Sequence, residues 1–259
     1  MGSFKSAVRD LVPHGVLAMY RRHKQARLDR LERRMSTEEV FTRIYADHRW
    51  DRLNGRPGTF SSGSGSHDPT IVGPYVTAVK AELQRLGAES LTVVDLGCGD
   101  FAVGGQLAPA CGRYIGVDIV KPLIDYNGAQ FGTHRIVFQY GNFIEDEPPA
   151  GDICFVRQVF QHLSNAQILA ALPKLARYRW CFITEHHPSP GRLRRVNMDK
   201  PHGPDVRGHR GSGVFLESPP FNIPRERYRM ILEVPGKMPP DADPGVIRTF
   251  LLENAPASR

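Results

Sequence analysis

Ten residues, Leu91 to Asp100 (LTVVDLGCGD), restrict the fold of this 259-residue chain more than any other stretch. Leu91, Val93, Val94 and Leu96 form an apolar, β-branched run that stops at a turn, the pattern of an inner parallel strand covered on both faces. Gly97 and Gly99 follow at alternate positions, where the lack of a Cβ lets the backbone turn sharply and a ligand lie against it. A second strand is predicted over Tyr114 to Val117 (YIGV), and it delivers Asp118, 23 positions after Asp95. An acid about 20 residues past a glycine turn is positioned to accept from ribose hydroxyls, so the segment predicts a site for a nucleoside-containing cofactor. Gly97, Gly99 and Ala102 also fit the GxGxxA form of the dinucleotide fingerprint, which keeps a nicotinamide-dependent dehydrogenase among the alternatives.

With Asp95 two residues before the first glycine, the segment resembles the D-x-G-x-G motif of class I S-adenosylmethionine-dependent methyltransferases. The resemblance implies S-adenosylmethionine as cofactor, its amino-acid end near Asp95, Gly97, Cys98 and Gly99 and its ribose on Asp118, beside Ile119. It continues through Ile136 to Tyr140 (IVFQY) as a third strand, followed by Asn142 and Phe143 where the family often carries an acid and an apolar residue around the adenine. Asn142 departs from the usual Asp, although its amide oxygen still accepts from an exocyclic amine. Asp152 to Val156 (DICFV) and Trp180 to Thr184 (WCFIT) read as the fourth and fifth strands. Tyr228 to Val234 and Val246 to Leu252 are similar to the antiparallel pair that closes the family's sheet. The implied fold is Rossmann-like α/β, a seven-stranded, mostly parallel sheet with helices on both faces.

Six of the chain's seven net positive charges lie in residues 1–34, which hold nine Lys or Arg against three Asp or Glu. The rest of the chain is nearly neutral, which argues against nucleic acid as a partner despite a pI of about 9.4. The basic arm, residues 1–35, reads either as a helix on an anionic membrane surface or as a solvated arm. Four cysteines show neither CxxC pairing nor a disulfide framework, and this predicts reduced thiols in a cytoplasmic protein, with any membrane contact peripheral. Residues 36–259 form the predicted catalytic domain.

Ser36 and Glu39 make a capping box for a helix to about His48. The Gly/Ser-rich loop from Asn54 to Asp68 is either a plain linker or a cover whose Ser62 and Gly63 meet the cofactor. It runs into a helix over Pro69 to Leu86, with Asp68 as N-cap and Gly87 just beyond its end. Ligands in open parallel sheets sit outside the carboxyl ends of the strands. The ends of the fourth and fifth strands therefore supply further candidates: Arg157 for the cofactor, and Gln158, Gln161 and Glu185 for the acceptor. His186 is the leading candidate base and His162 the second, because an imidazole titrates near neutrality. Glu185, His186 and His187 are adjacent, so they alternate across an extended chain, and no metal site is expected.

Residues 188–222 read as an inserted lid whose Arg207 and Arg210 attract an acceptor with an anionic group. Ser218, Pro219, Pro220 and Phe221 match a signature of base-modifying amino-methyltransferases, but that motif belongs after the fourth strand, and here it follows the fifth. The resulting expectation is methyl transfer to a hydroxyl of a small-molecule or glycan-like acceptor. An N-methyltransferase, the dehydrogenase and a non-catalytic cofactor-binding module are the alternatives.

Overall fold

A computed structural model describes residues 34–50, 60–236 and 244–254, together with Met19, His23, Ala26, Arg27, Arg30, Leu31 and Glu32. Most of the basic arm lies outside the described residues, as do residues 51–59 of the Gly/Ser loop.

Seven strands form one sheet: β1 Thr92–Leu96, β2 Arg113–Asp118, β3 Ile136–Tyr140, β4 Ile153–Arg157, β5 Trp180–His187, β6 Tyr228–Pro235 and β7 Val246–Glu253, in the order β3-β2-β1-β4-β5-β7-β6. Strands β1 to β5 run parallel, and β7 is antiparallel to both β5 and β6. The helices are α1 Thr37–Ala46, α2 Ser64–His67, α3 Pro69–Leu86, α4 Gly104–Leu107, α5 Lys121–Phe131 and α6 Asn165–Leu175.

Local chemistry sets the helix ends. The Ser36 and Glu39 box opens α1, and an equivalent Ser164 and Gln167 box opens α6. The Asp68 carboxylate accepts from the Thr70 N–H at the start of α3, and Gly87 ends that helix in the left-handed conformation at φ 69°. Alternation along the inner strands then divides the core between two faces. Val94, Leu96, Cys154, Val156, Cys181 and Ile183 pack under α6 and residues 214–221. Val93, Ile153, Phe155 and Phe182 pack under α3.

One boundary differs from the sequence reading, with consequences for the site. The fifth strand does not end at Thr184. It continues through Glu185, His186 and His187, which pair with Arg248, Ile247 and Val246 of β7. The antiparallel partner supplies a full ladder beyond the point where β4 stops, so Glu185 and His186 lie within the strand and His187 ends it.

Candidate active site

The strand order reverses between β1 and β4, and the turns leaving these two strands bound a cleft. Such a switch point is where ligands bind in open α/β sheets. Asp95, Gly97, Cys98, Gly99, Asp118, Ile119, Asn142, Phe143, Arg157, Gln158 and His162 all line it, along with Ser62.

Gly97 and Gly99 sit at φ 80° and 55°, a region that L side chains rarely adopt. A Cβ at Gly97 would meet the Val159 side chain and one at Gly99 the Ser62 hydroxyl, so the turn is closely packed as well as unusually bent. Asn127 of α5 holds it from behind, donating through Nδ2 to the Gly99 carbonyl at 2.8 Å.

Three carboxylates surround this turn. Asp118 accepts from the N–H groups of Gly99 and Val120, each at 3.1 Å, leaving each of its oxygens capacity for a further donor. Burial, opposed by those N–H donors, pushes its carboxyl up to about 6. Asp95 accepts from the Tyr114 hydroxyl at 2.5 Å, and burial pushes it up to about 6 as well. Asp100 behaves oppositely: burial acts against its charge, but His67 Nε2 at 2.6 Å and the Ser62 N–H at 2.7 Å outweigh that and hold it below the usual range.

Those contacts tie the described part of the Gly/Ser loop to the glycine turn. Ser62 Oγ also accepts from the Asp100 N–H at 2.9 Å and lies 2.9 Å from the Tyr45 hydroxyl of α1. Farther along, Arg157 donates to the Gly65 carbonyl at 2.6 Å and stacks 4.7 Å above the Tyr75 ring. The loop is tied to both sides of the switch point. Gly63 itself is not among the lining residues, although Ser66 is. The Arg157 Nε is fully buried without a hydrogen-bond partner.

The two candidate bases part company. His162, on the 3-10 turn Phe160–His162 after β4, faces the cleft beside Phe41 and Trp50. Its Nδ1 lies 3.2 Å from the Gly203 carbonyl, which only accepts, so Nδ1 carries the proton in the neutral ring. Its Nε2 bears the lone pair and accepts from the Gln161 amide at 3.3 Å, a donor that a bound acceptor hydroxyl would replace. His186 lies on the opposite sheet face from Glu185, with Nε2 2.7 Å from the Pro244 carbonyl, and is not among the residues lining the cleft. His187 faces the other way, 2.9 Å from the Val214 carbonyl, and burial lowers it to about 4.

The residues expected to meet the acceptor are also divided. Gln158 lines the cleft. Glu185 and Gln161 lie beneath it: the Glu185 carboxylate accepts from the Phe160 and Gln161 N–H groups at 2.9 and 3.0 Å, and burial pushes it up to about 8. Arg207 is 1% exposed and donates to the carbonyls of Leu163 and Met198 at 2.7 and 2.6 Å. Lys200, lowered by burial to about 8, donates to the His162 carbonyl at 3.3 Å. Arg210 lies 4.0 Å from Asp205. The expected lid is thus a buttress behind residues 158–163, and its two arginines do not line the cleft. The Ser218–Phe221 turn belongs to the same body, with Asn197 donating to the carbonyls of Ser218 and Pro219 and Phe221 packed into the core.

Several lining residues carried no separate expectation. Asp100 follows the glycine turn directly, and an acid there is a readable signal. Phe41, Tyr45, Trp50 and Tyr75 reach the cleft from α1, its downstream turn and α3, and nothing local in their sequence distinguishes them from core aromatics.

No protein-family model and no curated protein sequence matches the chain. Solved structures do. Magnesium protoporphyrin IX methyltransferase from Synechocystis PCC 6803 with bound S-adenosylhomocysteine superposes with a TM-score of 0.54 at 15% identity, over 85% of this chain and 100% of that one. Its form with S-adenosylmethionine gives 0.53 at 16% identity, over 85% and 98%. Human N-acetylserotonin methyltransferase in complex with S-adenosylmethionine gives 0.50 at 15% identity, over 85% of this chain, which spans 60% of that structure. The chain therefore has the Rossmann-like fold of the S-adenosylmethionine-dependent methyltransferases, with its cleft at the switch point of their sheet.

Proposed function

We propose that the protein is an S-adenosylmethionine-dependent methyltransferase that acts on a hydroxyl of a small-molecule acceptor. The observation that carries this reading is the convergence, in one cleft, of the Gly97 and Gly99 turn, Asp118 after β2 and His162 after β4. Bound there, the cofactor would supply an electrophilic methyl on a sulfonium, and the residues present suit it. The Asp118 carboxylate has acceptor capacity for two ribose hydroxyls, and Asn142 and Phe143 border the adenine end. The negative charge of Asp95 and Asp100 suits an ammonium and a sulfonium.

Two elements enclose the reacting centre. The Ser62–His67 stretch closes over the turn, and α1 covers the cleft beside it, which together exclude water and align acceptor and methyl. His162 takes the acceptor proton on Nε2 as the methyl is transferred, while the Gly203 carbonyl stabilises the Nδ1–H of the resulting imidazolium. Glu185 shapes the turn that carries His162 and does not meet the acceptor.

Calorimetry with S-adenosylhomocysteine tests the cofactor half. Ribose hydroxyls bind the carboxylate form of Asp118, whose proton leaves near pH 6, so affinity should rise between pH 5 and pH 7. Asp118→Ala should weaken binding at pH 7.5 by about 1–3 kcal/mol and reduce that dependence to the part that Asp95, also pushed up to about 6, contributes. Binding of NAD in place of S-adenosylhomocysteine would overturn the reading in favour of a dehydrogenase.

A further inference from the structure

The acceptor half of the cleft has a chemistry of its own. Away from the carboxylates it is bounded by Phe41, Trp50, Ile144, Val159, His162 and Leu163. Three of these are rings in contact with one another: Phe41 and Trp50 at 6.2 Å between centroids, Trp50 and His162 at 5.4 Å, Phe41 and His162 at 6.4 Å. All three are half-buried, so they keep ring surface open to the cleft, unlike the closed packing of Phe155 against Phe182 in the core. Aromatic surfaces of this kind favour a flat, apolar partner in stacked or edge-to-face contact.

Charge restricts the partner further. Among the described residues lining the cleft, Arg157 is the sole Lys or Arg, and it is held at the cofactor end by the Gly65 carbonyl and the Tyr75 ring. The cations expected to attract an anionic acceptor are engaged elsewhere: Arg207 and Lys200 with backbone carbonyls, Arg210 near Asp205. An anionic acceptor would enter beside three aspartates without a facing cation.

Resting on the methyltransferase reading, we propose that the acceptor is an uncharged phenol, seated against Phe41 and Trp50 with its hydroxyl directed at His162 Nε2. In the reaction an O–CH3 bond forms as the S–CH3 bond breaks, and the phenolic proton passes to His162. Proton affinity favours the same choice. Phenols titrate near about 10 and imidazoles near about 6.5, a gap that one histidine spans readily. An aliphatic hydroxyl of a sugar holds its proton more tightly than a phenol and asks more of a single imidazole.

The test incubates the full-length protein and labelled S-adenosylmethionine with substituted phenols, hexoses, hexose phosphates and alkylamines, and measures S-adenosylhomocysteine binding in parallel. Label should enter the phenols as an aryl methyl ether. Trp50→Leu should raise the KM for a phenol about three- to tenfold, with Trp50→Phe recovering most of it and S-adenosylhomocysteine affinity unchanged within about twofold. Transfer to hexoses, hexose phosphates or amines, or to nothing in the panel, with S-adenosylhomocysteine still bound, overturns the phenol proposal and leaves the methyltransferase reading standing. Failure to bind S-adenosylhomocysteine overturns both.

Discussion

Residues 60–67, serine-rich and without Lys, Arg, Asp or Glu, and residues 191–213, strongly basic, both read on paper as irregular, glycine-containing polar segments, yet they occupy opposite sides of the cleft wall. The first stretch lies at the cleft, because Ser62 and Asp100 exchange two hydrogen bonds and Arg157 grips Gly65. The second lies behind the 3-10 turn, because Arg207, Lys200 and Gly203 satisfy the backbone and ring of residues 162 and 163. Backbone polar groups left over where a strand becomes a turn must find partners, and the segment that supplies them is drawn to that place. Composition tells that a segment is irregular; its hydrogen-bond partners tell what it does.

The largest effect that can break this comparison lies at the residue the second segment holds. His162→Ala should lower turnover about 10²- to 10⁴-fold with S-adenosylhomocysteine affinity nearly intact, whereas His186→Ala should change turnover less than about threefold. Paired steady-state assays with calorimetry check it. Equal losses at both positions would return His186 to the reaction.

Next in size is the buttress itself. Arg207→Met removes the donors to two buried carbonyls and should cost about 2–4 kcal/mol of stability by urea denaturation. A cost below about 0.5 kcal/mol would mean that the segment rests on the turn without bracing it, and the contrast between the two loops would collapse.

The smallest effect sharpens the other side. Ser62→Ala removes the acceptor for the Asp100 N–H but keeps the Ser62 N–H donation, so S-adenosylhomocysteine affinity should fall by about 0.5–1.5 kcal/mol with little change in stability. If stability falls and affinity does not, the Ser62 stretch is scaffold and not cover.

Much of the site was legible because the residues that make it are close in sequence. Asp95, Gly97, Gly99 and Asp118 belong to one strand–turn–strand unit, and any fold that buries the two strands side by side brings the glycine turn against Asp118. The register pairing Asp95 with Gly116 and Leu96 with Val117 is the physical form of that spacing. Helix ends were equally readable, since Ser36, Asp68, Gly87 and Ser164 act on N–H and C=O groups within a few residues.

What the linear pattern could not carry depends on partners far away in the chain. The run WCFIT ended a strand on paper, but whether Glu185, His186 and His187 continue it depends on β7, more than 50 residues later, which offers them a complete ladder. That one extension takes His186 away from the cleft and turns Glu185 under the 3-10 turn, while His162 lines the cleft. The charge on Arg207 suggested an anion, yet its guanidinium goes to the carbonyls of Leu163 and Met198, because unsatisfied polar groups in a core compete for donors more strongly than solvent does. Phe41 and Trp50 carried no signal at all, being apolar residues whose role depends on what α1 covers. The strand–turn–strand unit and the helix ends were written in the linear sequence, through interactions spanning a few residues or one crossover. The tertiary structure settled which histidine reaches the cleft, which loop packs on the glycine turn and which rings line the cleft's apolar half, because each depends on hydrogen-bond and packing partners brought together from distant parts of the chain.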